Sequence, residues 1–208
     1  MSNCSASRLP RKPVSDIATA RRLEYLTLGW NGIEATVSIA FGILAGSIAL
    51  IGFGVDAFIE SVSGAVLLWR LRAGEIGESR EKLALRLVGW SFLALAAYVL
   101  FDAGKSLWER ERPDASTVGI VIATLSLIVM PLLARAKRHV AARMNSRALA
   151  ADSKQTQLCA YLSAILLAGL ALNYLFGWWW SDPLAALTMV PIIAREGIEA
   201  LRGETCCD

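Results

Sequence analysis

The run Ser47-Ile-Ala-Leu-Ile-Gly52-Phe-Gly-Val-Asp56-Ala-Phe-Ile-Glu60-Ser-Val-Ser63-Gly-Ala-Val-Leu-Leu-Trp69 decides how the rest of the chain is read. It has no basic residue and only two acids, and it is long enough for a helix to cross a hydrocarbon layer about 30 Å thick, which takes about 20 apolar residues. Gly52, Asp56, Glu60 and Ser63 step by 4, 4 and 3, which lines them up on one helix face. That brings the two carboxylates to about 5 to 6 Å apart at Cβ. An acid at the centre of a span costs about 2.5 to 3.5 kcal/mol on the insertion scale, so each needs a partner, a wet cavity or a task. Two acids that close in a low dielectric cannot both stay ionised without a cation, and the pair suits a divalent cation that exchanges with protons.

Working outward, the same reading extends to the whole chain. Its 208 residues are 55% hydrophobic and only 19% charged, with a mean hydropathy of +0.49. Soluble enzyme, disulfide scaffold and disordered chain are all poor descriptions of that balance. Apolar runs fall at roughly 24–44, 47–69, 86–107, 116–134, 149–175 and 183–200, the last ending amphipathically with Arg195, Glu196 and Glu199. The expected fold is therefore all-α, a six-helix transmembrane bundle over 23–200, with a tail at 1–22 and another at 201–208. The net charge of +3 comes without a basic stripe interleaved with aromatics, which argues against nucleic acid. Cys4, Cys159, Cys206 and Cys207 form no CxxC pair. The first apolar run is of full span length, unlike a cleaved signal peptide.

Lys and Arg divide sharply between the connections. The N-terminal tail, the 70–86 and 135–154 loops and the C-terminal end hold 18 of them, against 3 (Lys105, Arg110 and Arg112) on the other side. The positive-inside rule then places both termini in the cytoplasm. Trp178, Trp179 and Trp180 fall at the expected outer boundary, where indoles favour the interface. Phe41-Gly42 through Ala49-Leu50 weakly echoes Phe176-Gly177 through Ala186-Leu187, as an internal repeat would. Gly42, Gly46, Gly52, Gly54 and Gly64 allow close helix approach along the first two spans.

Other spans carry polar rows too. Asp152, Gln155 and Cys159 share a face of the fifth, at spacings of 3 and 4. A thiolate suits zinc-like metals and a carboxamide is a weak donor, so this half-site is softer than that of Asp56 and Glu60. Taken alone, Cys159 reads as a packing residue and Gln155 as an interhelical hydrogen-bonding group. Thr27, Asn31, Glu34 and Ser38 make a stripe on the first span, where Glu34 lines the same cavity, relays protons, or accepts hydrogen bonds from a neighbour. Asp102 is expected to pair with Lys105, Asp182 before Pro183 to cap a helix start, and His139 to be solvated in a basic loop.

Three segments together resemble the cation diffusion facilitator family: Ala45-Gly-Ser-Ile-Ala-Leu50 with Phe53-Gly-Val-Asp56-Ala-Phe-Ile-Glu60-Ser, then Asn145 through Cys159, then Trp180-Ser-Asp182-Pro183. The resemblance implies a six-helix fold, homodimers, and export of a divalent metal, commonly zinc, against protons. It also implies paired ligands four residues apart on helices two and five, here Asp56 with Glu60 and Gln155 with Cys159. The chain departs from the family at Gln155 and Cys159, where typical members have His or Asp followed by Asp. It is also expected to lack the family's cytoplasmic domain after helix six, leaving any dimer to form through the membrane helices or the cytoplasmic loops.

The expected function is a proton-coupled divalent cation transporter of the inner or plasma membrane, not an enzyme. Its metal ion is cargo, with no permanently bound cofactor. The expected site is Asp56, Glu60, Gln155 and Cys159, with Asn31, Glu34 and Asp152 lining a cavity or relaying protons. Two other readings stay open: a membrane protein that kept the fold and lost transport, with its acids as interhelical glue, and a proton-driven exporter of small organic cations. The fifth span is expected to be long or tilted for the two rows to meet.

Overall fold

In a bilayer every backbone amide must find its partner within the protein, and continuous helices answer that requirement. The computed structural model describes residues 14–73, 78–110, 113–114, 116–144 and 146–202. The described residues form six helices: α1 (Val14–Ala45), α2 (Ile48–Ala73), α3 (Glu78–Glu109), α4 (Thr117–Met144), α5 (Arg147–Phe176) and α6 (Ser181–Arg202). Each expected span falls on one of them, two of them (47–69 and 116–134) starting one residue before the helix does. Cys4, Cys206 and Cys207 fall outside the described residues.

Two boundaries differ from the sequence reading. Residues 14–22, expected in the tail, are the first turns of α1, and most of the expected 135–154 loop is helix, because α4 runs to Met144 and α5 starts at Arg147. Charge at a span end ends the apolar run without ending the helix. Ser146 caps α5, its hydroxyl accepting from the Leu149 amide. At the far end of α5, Gly177 takes the left-handed conformation (φ 64°), and its amide donates to the Asn173 carbonyl. Gly42, its partner in the proposed echo, is an ordinary helical residue of α1.

Burial is arranged inside out. Glu24, Asn31, Glu34, Ser38, Lys137 and Thr156 are fully buried, while Leu44, Phe101 and Leu175 expose 75, 74 and 69% of their surface. Lipid rather than water must cover such an exterior. Among the described residues, α1, α2, α4 and α5 are long and apolar enough to cross a membrane. Most of the buried polar residues belong to these four, and α3 and α6 pack on each other beside them. Close approach rests on glycine: a Cβ on Gly54 would stand 2.9 Å from the Ile39 amide nitrogen, and one on Gly89 would stand 2.8 Å from the Gly197 carbonyl oxygen. Gly46 instead makes the α1–α2 turn, at φ 65°. Trp178 and Trp180 stack with centroids 5.0 Å apart at the α5–α6 turn.

Candidate functional site

Glu24, Lys137, Asp152, Thr156, Glu60, Cys159, Glu34 and Ser126, buried among the four helices, form one connected network with Glu60 of α2 near its middle. The Thr156 hydroxyl of α5 donates to Glu60 Oε1 at 3.0 Å, while Glu60 Oε2 is buried with no partner. Asp56, one turn away, is 7% exposed and makes no hydrogen bond among the described residues. The ionisable groups that act on it electrostatically are Glu60, Glu196 of α6 and Glu34 of α1, all acids. Three helices thus turn carboxylates toward one region without a matching base beside Asp56.

Cys159 joins α5 to this region. Its thiol lies 3.7 Å from Glu34 Oε1 and also against Glu60. Glu34 is held further by Ser126 of α4, whose hydroxyl donates to Oε2 at 2.7 Å, and Ser126 in turn accepts from Trp30 Nε1 at 3.3 Å. Of the three roles open to Glu34, hydrogen bonding to neighbouring helices is the one present. The Asn31 amide, both Oδ1 and Nδ2, and Ser38 Oγ are buried without partners. Buried polar atoms are normally paired, so this group calls for a water, a proton or a cation.

The inward row of α5 is Asp152, Thr156 and Cys159, with spacings of 4 and 3. Gln155 stands one position off that row, half-buried and without a hydrogen bond to the network among the described residues. The levels of α2 and α5 do meet, as the contacts of Thr156 and Cys159 with Glu60 show. Among the described residues, no group of three or more His, Cys, Asp or Glu side chains is arranged to hold a metal ion.

Sequence reading passed over two members of the network. Lys137 of α4, assigned to a solvated loop, is fully buried. Its ammonium donates to Asp152 Oδ2 at 2.5 Å, Glu24 Oε2 at 3.2 Å and Thr156 Oγ1 at 3.4 Å. Helical periodicity carried the signal: Lys137 lies three or four residues from Ala134, Val140 and Ala141, all buried. Glu24 likewise extends the Thr27, Asn31, Glu34 and Ser38 stripe backward by one turn. His139, by contrast, is exposed as expected, although on a helix.

Two acids have other duties. Asp182 caps a helix start, but the start is that of α2: its carboxylate accepts from Ser47 Oγ at 2.5 Å, the Ile48 amide at 3.0 Å and the Ala49 amide at 3.4 Å. Asp102 accepts from the Tyr98 hydroxyl at 3.2 Å, and Lys105 pairs with Glu109 at 3.3 Å.

The family model of the cation efflux transmembrane domain matches residues 25–203. A Synechocystis protein named as an uncharacterized transporter is 25% identical over 189 residues, covering 86% of this chain and 61% of that protein. Transmembrane protein 163 of Xenopus laevis is 26% identical over 188 residues, covering 86% of this chain and 67% of the relative. MamV of Paramagnetospirillum magneticum, also named as a transporter, is 27% identical over 197 residues, covering 90% and 59%. The chain thus spans about three fifths to two thirds of the length of these relatives.

Proposed function

The chain belongs to the cation efflux transmembrane domain family, and on that premise we propose that it is a proton-coupled exporter of divalent cations such as zinc. In this reading it works by alternating access as a homodimer in the inner or plasma membrane, with both termini cytoplasmic. The cargo site is Asp56, Glu60, Gln155 and Cys159, with Asn31, Glu34 and Asp152 as cavity lining or proton relay. A cation arriving from the cytoplasm displaces protons from Asp56 and Glu60, and it leaves on the other side as protons return. Coupling needs only that cation and proton compete for the same carboxylates.

The observation that carries this reading is the pair of poorly partnered buried acids, Asp56 and Glu60. Both are buried, they lie on adjacent turns, and Glu60 Oε2 has no partner. Cys159 supports it by bringing a soft donor from α5 to the same acids. Gln155 requires α5 to turn about its axis before it can take part, since Thr156 holds the inward position. Such a turn suits a site that opens alternately to two sides.

The test is zinc-driven proton flux in proteoliposomes, read with a pH-sensitive dye alongside manganese, cobalt and cadmium. Asp56→Asn abolishes the flux if the site is correctly assigned, and an unchanged rate removes it. The glue reading is favoured at one place, the Lys137 pairs with Glu24 and Asp152. A protein that is glue throughout gains no thermal stability from metal and is strongly destabilised by Asp56→Asn.

A further inference from the structure

We propose that Glu24 and Asp152 form a second cation subsite, occupied in this structure by the chain's own Lys137 ammonium, which a passing divalent cation displaces. This rests on the cation-transport reading above and deepens it. The subsite lies at the end of the bundle opposite the Ser47–Asp182 contact, bridging α1, α4 and α5.

The charge arithmetic is the first support. Lys137 pairs with Glu24 and Asp152 together, so one ammonium faces two carboxylates. Buried ion pairs repay their desolvation only when the remaining lone pairs are also satisfied. Here they are not, for Glu24 Oε1 is buried with no partner, on a side chain with no exposed surface. A divalent cation matches two carboxylates where a single ammonium does not.

Connectivity is the second. Thr156 Oγ1 lies 3.4 Å from Lys137 Nζ and 3.0 Å from Glu60 Oε1, so the subsite abuts the acids of α2 through one hydroxyl. An ion leaving Glu60 toward this end of the bundle meets Asp152 next. The third support is the residue type. Lysine carries a compact charge on a flexible stem and can swing toward the bundle end while its helix stays in place. Its helix continues to Met144 beyond Pro131, whose missing amide removes one rung of the ladder a turn and a half before Lys137.

The experiment measures zinc binding to the full chain in lipid nanodiscs, by equilibrium dialysis and by thermal unfolding. Lys137→Gln removes the tethered competitor, so it is expected to bind one more zinc per chain than wild type. Failing that, its apparent affinity rises about tenfold or more, because a tethered group competes at a high effective concentration. Adding Asp152→Asn to Lys137→Gln abolishes the gain. Lys137→Gln combined with Glu24→Gln keeps the local charge balance of the wild type, and so provides a variant that folds if the single one does not; it too gains zinc affinity, through Asp152. Zinc-dependent recovery of a poorly folded Lys137→Gln protein likewise supports the subsite. No gain in stoichiometry or affinity in either variant overturns it and leaves Lys137 a structural tie. If Asp56→Asn leaves flux unchanged while Lys137→Gln still gains zinc, the cargo site fails and the subsite stands.

Discussion

Asp182 and Glu60 are both carboxylates sealed inside the protein, at 0 and 2% exposure, yet they are held in opposite ways. Asp182 accepts from a hydroxyl and two backbone amides, and these donors all belong to the first turn of α2 or its cap. Glu60 accepts from the Thr156 hydroxyl and has the Cys159 thiol against it, while its Oε2 has no hydrogen-bond partner. The first arrangement leaves nothing for a guest to add. The second is incomplete, and a buried group left incomplete costs free energy unless something visits it. Burial of an acid therefore does not by itself mark a transport site; under the proposed function, the number of its oxygens left unpaired separates the clamp from the carrier.

The contrast is tested most severely at the carrier end. Asp56→Asn and Glu60→Gln should each lower metal-driven flux at least about a thousandfold, roughly 4 kcal/mol of barrier. Their thermal unfolding temperature in the absence of metal should hold or rise, because a buried and poorly partnered acid has been neutralised. Loss of folding alongside loss of flux would place these acids with Asp182.

Asp182→Ala should do the reverse. It strips the Ser47 hydroxyl and the Ile48 and Ala49 amides of their acceptor, at a cost of about 3 kcal/mol in stability. Protein that remains folded should bind zinc with unchanged stoichiometry. A selective loss of zinc binding in folded Asp182→Ala would break the distinction between clamp and carrier.

Between these extremes lies Glu34, whose two oxygens are engaged by Ser126 and Cys159. Ser126→Ala removes the shorter of the two bonds, and with it the support for Trp30 Nε1. The expected cost is about 1 to 2 kcal/mol in thermal stability, measured beside Ser126→Thr, which keeps the hydroxyl. If Glu34 is mainly a tie between α1 and α4, flux per folded molecule is unchanged; if it relays protons, flux falls further than stability does.

The six helices were legible because apolar run length and the alternation of basic connections are both coarse signals, each spread over some twenty residues. Asp56 and Glu60 were legible as well, because an acid inside an apolar run stands out wherever its side chain points. Lys137 and Glu24 were not, since they sit beside Arg135 and Arg138 or Arg21 and Arg22, where charge is the rule. Only the phase of the helix distinguishes a buried lysine from its solvated neighbours, and phase becomes visible once α4 is known to continue to Met144. Asp182 shows the same limit from another side: the sequence announces a capping residue, while the helix it caps is 134 residues away along the chain, at Ile48.

The smallest effect decides a neighbouring ambiguity, whether the α2 acids are served by Gln155 or by Thr156. The two side chains are adjacent in sequence and about 100° apart around the helix, so only one can face Glu60 in a given state. In this structure it is Thr156, whose hydroxyl is within reach of Glu60 Oε1, Lys137 Nζ and the Asp152 carbonyl. Thr156→Val keeps the shape and deletes those bonds, with an expected effect of about 1 kcal/mol, or some fivefold in apparent zinc affinity. Thr156→Ser should restore it. Gln155→Ala, measured in the same assay, separates two kinds of carrier. An unchanged zinc affinity with slowed flux assigns the carboxamide to a conformation other than this one, as a turning α5 requires. Unchanged affinity and unchanged flux together remove Gln155 from the site and leave Asp56, Glu60 and Cys159 to hold the cargo.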